Sequence, residues 1–371
     1  ILLVQIFLAH VCSGYYCNVR THWDKSMFLR LIFIITLISI SSCSSVRYYA
    51  QAIGGHTKLV LQREAIEKAI ADSDIDAETA GKLRLTQSIR AFANKSGLTT
   101  GDAYTTYVKT GQPYVVWNVF AAPEFSFSLK QFCFPIMGCT SYKGYFRKSA
   151  AEQASVKLSS EGLDVFVGGV AAYSTLGWFS DPILDSFLVR SESQLAALIF
   201  HELAHRQLYV KGDSQFNESF ATAIERYLLQ KWLVEEQRLP ELAAFEAAIK
   251  RQHQMLHLVS EIKKELDVVY SKDAAVEIRR QAKQDLFIEL RERYQVIQEG
   301  WQGNEDYRSW VMSELNNAKL GTLTTYNNWV VSFNALLTEE NGDIPAFIGS
   351  AKRLALLDRD RRDRRLAALA E

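Results

Sequence analysis

This sequence predicts an α+β fold, on three observations. Stretches with the β-branched, aromatic and alternating character of strands lie in the first half, at Tyr114–Phe120, Phe125–Leu129 and Val165–Val167. An apolar helical run opening at Ser191 leads into a polar cluster at His201, and the chain beyond Leu239 is dominated by amphipathic segments. A small β-sheet before a central helix, followed by a large helical C-terminal part, accounts for all three.

The chain has 371 residues, room for about two units of ~150 residues. With 48% hydrophobic and 23% charged residues it has the composition of a globular protein, and a formal charge of +0 gives no electrostatic reason to expect a nucleic-acid partner. Function must therefore come from local sites.

The sequence starts at Ile1 and its first methionine is Met27, so residues 1–26 are expected to be a non-native leader. Residues 27–42 read as a secretory signal: Arg30 is the positive region, Leu31 to Ile40 the apolar region, and Ile40-Ser41-Ser42-Cys43 a small-residue cleavage site resembling a bacterial lipobox. The apolar run is shorter than the ~20 residues a spanning helix needs, which favours a lipid on Cys43 over a transmembrane anchor. Each buried acyl methylene adds roughly 0.8 kcal/mol of membrane affinity. An envelope lipoprotein facing the periplasm is expected, with Ser44 compatible with outer-membrane sorting. With Cys12 and Cys17 in the leader and Cys43 assigned to lipid, only Cys133 and Cys139 remain, either paired or as free thiols.

The expected parts are then residues 43–190, helical and β-sheet, and residues 191–371, carrying the site helices and the helical C-terminal region. Tyr48 to Ala93 has helical spacing. Ser191 and Gln194 stand three apart as in a capping box, ahead of the apolar run Leu195 to Phe200. Gly212 and Asp213 mark a stop and a fresh start, and Phe216, Phe220, Ile224 and Tyr227 continue as an amphipathic helix. Leu239 to Gln298 reads as a solvated helical hairpin with i,i+4 charge pairs, and Asp358 to Arg365 as an exposed helix end or tail.

His201-Glu202-Leu203-Ala204-His205 matches His-Glu-x-x-His. Residues four apart share a helix face, so both imidazoles can reach one Zn²⁺, while Glu202 projects beside the ion as a base. Burying two histidines and a glutamate in an apolar helix is costly unless each has a partner, and a metal supplies one. Catalytic zinc usually takes a third protein ligand and leaves a position open.

Asn217-Glu218-Ser219-Phe220-Ala221 resembles the segment on the second helix of gluzincin peptidases whose glutamate is that ligand, which implies Glu218. The spacing departs from the pattern, because only twelve residues, 206–217, separate His205 from Glu218. Glu225, two turns later on the same face, is either the alternative ligand or an acceptor that orients a ligating imidazole. Gluzincins often stabilise the oxyanion with a tyrosine, which points to Tyr326 as the catalytic donor, with Tyr173 as runner-up.

Together with the lipoprotein leader, Gly144-Tyr145-Phe146, Ala172 to Trp178 and Asn316-Asn317-Ala318, the segment His201 to Glu225 resembles the bacterial family of zinc aminopeptidase lipoproteins, a likeness running from about Cys43 to Leu337. The resemblance implies a zincin-like metallopeptidase core, peptide substrates and hydrolysis at the cell envelope. The Gly-x-Met-Glu-Asn segment that holds a substrate amine in well-known gluzincin aminopeptidases is absent. Gly168 to Thr175 stands in its place, either as a strand edge for an extended peptide or as an ordinary strand and turn. The competing function is a catalytically inactive zincin-fold envelope lipoprotein acting as a binding or assembly module. Glu202 favours the enzyme, since structural zinc needs no base.

Overall fold

The computed structural model describes residues 48, 49, 51, 54, 55, 57–134, 138–171, 180–325 and 329–370. The chain divides into two compact units, Ile1–Gln51 and Ala52–Glu371, and every element below belongs to the second. The expected leader, signal segment and Cys43 lie outside the described residues, as do Tyr173, Tyr326 and the Ala172 to Trp178 segment. No helix among the described residues is long and apolar enough to cross a membrane.

The fold is mixed α+β, mostly helical with small sheets. In chain order it runs β1 (Glu64–Ala65), α1 (Ile66–Ala71), α2 (Ala77–Lys95), β2 (Thr106–Val108), β3 (Val116–Pro123), β4 (Phe132–Phe134), β5 (Gly138–Thr140), β6 (Lys143–Tyr145), α3 (Lys148–Ser160), β7 (Leu163–Val170) and β8 (Ile183–Leu184). The helical part follows as α4 (Asp185–Leu188), α5 (Glu192–His205), α6 (Ser214–Glu235), α7 (Leu239–Ser271), α8 (Val276–Glu299), α9 (Arg308–Met312), α10 (Asn317–Thr325), α11 (Val330–Glu339), α12 (Ile344–Ala355) and α13 (Arg359–Leu369).

Strand β3 is the centre of an antiparallel sheet of order β6-β3-β7, in register from Val116↔Val170 to Pro123↔Leu163. Its side chains alternate between two buried faces. Val119 and Ala121 pack with Ala151 and Leu158 of α3, whereas Phe120 and Ala122 pack with Ala318 of α10. Covering both faces removes the polar alternation that marks a half-exposed strand. In a second small sheet, β2 lies between β1 and β8. Cys133 and Cys139 face each other across the β4–β5 pair and form a disulfide.

Phe125–Leu129 is not a strand. It is an irregular segment whose aromatic rings pack outward onto the helical hairpin: Phe125 and Phe127 lie 5.5 and 5.7 Å from the ring of Tyr270. Alternation put both rings on one side as a strand would, but no neighbouring strand takes up the backbone, so helix packing decides the conformation.

The hairpin itself forms as expected from α7 and α8, around Met255, Val259, Ile262, Phe287, Leu290 and Tyr294. It is tied to the sheet by a buried polar knot. Lys283 of α8 donates to the Glu124 carbonyl at 2.8 Å and to Asp164 of β7 at 2.6 Å, and the Asn317 backbone donates to the same Asp164 oxygen at 2.8 Å. The Asn317 side chain donates to the Glu124 carbonyl at 2.9 Å and accepts from the Tyr270 hydroxyl at 2.8 Å. Asn316-Asn317-Ala318 thus works as a structural junction, in which each buried polar group finds a partner.

The acid-and-base run Asp358 to Arg365 is a mostly exposed helix end, one of the two expected readings, but it is docked and not a tail. It opens α13, where Arg362 and Leu366 are buried and Arg362 forms an ion pair with buried Asp213. Most charges of the run do face solvent, and only the helical spacing of Arg362 and Leu366 marks the docked face.

Candidate metal centre

Helix α5 begins as the sequence predicts, with Ser191 accepting from the Gln194 backbone and Gln194 returning the bond in a capping box. Leu195, Ala196, Ile199, Phe200, Leu203 and Ala204 are buried, each such Leu, Ile or Phe contributing roughly 1.5–3 kcal/mol. Gln194, Ala197 and His201 are left in a row facing a cleft of about 1000 Å³.

Helix α6 is held at its start by three contacts. Asp213 caps it by accepting from the Phe216 backbone at 3.1 Å, and Arg362 clamps Asp213 from the C-terminal helix. Asn217 reaches back over the turn, accepting from the Val210 backbone and donating to its carbonyl, both at 2.8 Å. The asparagine preceding Glu218 therefore pins the turn that joins the two helices, which is how only twelve intervening residues, 206–217, bring Glu218 to His205.

The three sequence-predicted ligands converge. His201 Nε2 and His205 Nε2 lie 3.1 Å apart, and Glu218 Oε2 lies 3.4 Å from the former and 3.7 Å from the latter. An ion with tetrahedral bonds of ~2.0–2.2 Å spaces its ligand atoms about 3.3–3.5 Å apart, so this triangle matches one metal ion to within a few tenths of an ångström. It is the one such group among the described residues. Glu225 is not a member: it lies 2.9 Å from His201 Nδ1, which holds the ring with Nε2 facing His205 and Glu218. The buried Nδ1 of His205 has no hydrogen-bond partner among the described residues.

Burial opposes a charge on His201, but its bonds to Glu218 and Glu225 outweigh burial and raise its pKa well above the ordinary imidazole value. Burial alone would raise the Glu218 carboxyl, yet the two imidazoles hold it far below the usual carboxylate range. The raised His201 and the lowered Glu218 mark a place where positive charge is favoured between the two. Glu202 stands outside the trio, and burial lifts its carboxyl above the ordinary range against the pull of His205 and His201.

A model of the family described as "Putative aminopeptidase" matches residues 47–366. The chain belongs to this family. Neither a curated relative nor a solved structure matches it. In this aminopeptidase-family chain, sequence reasoning missed a second group beside Glu202. Asp181 is fully buried with Arg206 Nη1 3.9 Å away, and its carbonyl accepts from the Tyr104 backbone at 2.7 Å. Tyr104 is buried with a left-handed φ of 60°, and its hydroxyl has no hydrogen-bond partner among the described residues. Burial and the charges of Glu202 and Asp181 push that hydroxyl's pKa well up. No local motif marks these residues, because they come from three separated segments.

Proposed function

We propose that this protein is a zinc-dependent peptidase, an aminopeptidase of the cell envelope, built on a zincin-like core in which His201, His205 and Glu218 hold the ion. The observation that carries the proposal is the triangle of 3.1, 3.4 and 3.7 Å between two imidazole nitrogens and one carboxylate oxygen. Two imidazoles and a carboxylate leave one tetrahedral position open, as hydrolytic zinc requires. When bound, Zn²⁺ supplies Lewis acidity, polarising a carbonyl and making water a nucleophile near neutral pH.

The chain's own residues do the rest. Glu202 takes the proton from the attacking water and returns it to the leaving amine; a carboxyl raised by burial is better matched to that exchange than an ordinary one. Glu225 fixes the His201 ring through Nδ1, so that Nε2 stays available. Tyr326, with Tyr173 second, is our candidate donor to the oxyanion. Strand β7, at the edge of its sheet and carrying Gly168 and Gly169, is the candidate pairing edge for an extended peptide. A lipid on Cys43 would hold the protein on the periplasmic face of a membrane.

The test is metal content and peptide hydrolysis in wild type and Glu202→Gln. Metal kept and rate lowered by on the order of 10²-fold or more supports the enzyme. Equal rates in both proteins defeat it.

A further inference from the structure

The cleft beside the metal centre is lined by an arginine that has no ion-pair partner among the described residues. It is a trough between α5, α6 and α7. Glu218, Thr222, Glu225 and Leu229 form its stripe on α6, with Arg226 on the flank facing α7. Three arginines line it. Arg238 is ion-paired with Glu192, and Arg251 is ion-paired with Asp306 at 2.8 Å. Arg226 has no carboxylate within ion-pair distance among the described residues; its hydrogen-bond partner is the amide oxygen of Gln252. Its neighbour Glu225 is engaged by His201. Glu241, the remaining acid of the lining, precedes Gln252 on α7 by a helical rise of about 16 Å, at the far end of the trough.

A half-buried guanidinium held by a neutral amide keeps donors and charge for an incoming anion. Gln252 orients it without neutralising it. Along α6, Arg226 is eight residues beyond Glu218, a rise of about 12 Å, and an extended peptide covers that in three to four residues. We propose that Arg226 is the specificity residue of this centre, receiving a substrate carboxylate about three residues from the bond that is cut. The inference rests on the peptidase reading. The carboxylate comes from a free C-terminus or from an Asp or Glu side chain.

The experiment compares three tetrapeptides of one neutral sequence with the zinc-loaded full-length protein: a C-terminal acid, its C-terminal amide, and the amide carrying Asp at the third residue. We expect wild type to favour one or both carboxylate peptides over the plain amide by roughly ten- to hundredfold in kcat/KM. Arg226→Gln should collapse that ratio toward one, and Arg226→Lys should keep part of it. Retained zinc and an unchanged circular dichroism spectrum show that each variant is folded; if Arg226→Gln does not fold, Arg226→Lys and the wild-type ratio decide. A wild-type ratio near one, or a ratio undiminished in Arg226→Gln, overturns the proposal. If wild type cuts none of the peptides, the peptidase reading fails by itself, and calorimetric binding of the same three peptides to wild type and variant decides the Arg226 inference by the same ratio.

Discussion

The Nδ1 of His201 donates to Glu225 across 2.9 Å, while the Nε2 of the same ring faces Glu218 at 3.4 Å. Two glutamates seven residues apart on one helix thus take different nitrogens of one imidazole, and they should separate on mutation. Glu218→Ala removes a ligand and should abolish tight zinc binding. Glu225→Gln should keep the metal but weaken it by about 10- to 100-fold. Chelator competition measures both, and equal losses in the two variants would contradict the assignment.

The charge state of His201 gives a signed pH dependence. In the metal-free protein the raised pKa of His201 stabilises the fold fully below the unfolded value of 6.5, and that contribution is lost as pH rises through the folded value. Zinc requires the ring neutral, so its stabilisation should grow over the same window. Melting curves from pH 6 upward, with and without zinc, should therefore diverge. Parallel curves would show that the proton and the metal do not compete.

The clamp on the start of α6 is open to test away from the metal. Arg362→Ala leaves Asp213 as an uncompensated buried charge and should cost about 3–5 kcal/mol of stability. Because Asp213 also caps the helix bearing Glu218, zinc affinity should fall with it. Denaturant unfolding and zinc titration of one variant read both effects. A stable protein with unchanged affinity would show that the C-terminal helix does not support the site.

At the polar knot, Lys283→Met strands Asp164 and should cost about 3–5 kcal/mol in denaturant unfolding. Pairing it with Asp164→Leu should restore much of the loss, since an apolar pair replaces a buried ion pair at little net cost. Failure of the double variant to recover would mean that the Asn317 contacts depend on Asp164 itself.

What the sequence determined by itself was local and periodic. Four-residue spacing put His201 and His205 on one face of a helix, a capping pair marked where that helix starts, and amphipathic segments with i,i+4 charge pairs announced the hairpin of α7 and α8. Tertiary structure alone decided which nitrogen each glutamate meets, that Phe125–Leu129 hooks onto helices instead of joining a sheet, that Arg362 is buried, and that Asp181, Arg206 and Tyr104 gather beside Glu202. The physical reason is range. Helical and strand periodicities are written within a few residues, whereas a buried ion pair such as Arg362 with Asp213 is selected by the cost of desolvating two groups that the chain brings together from far apart.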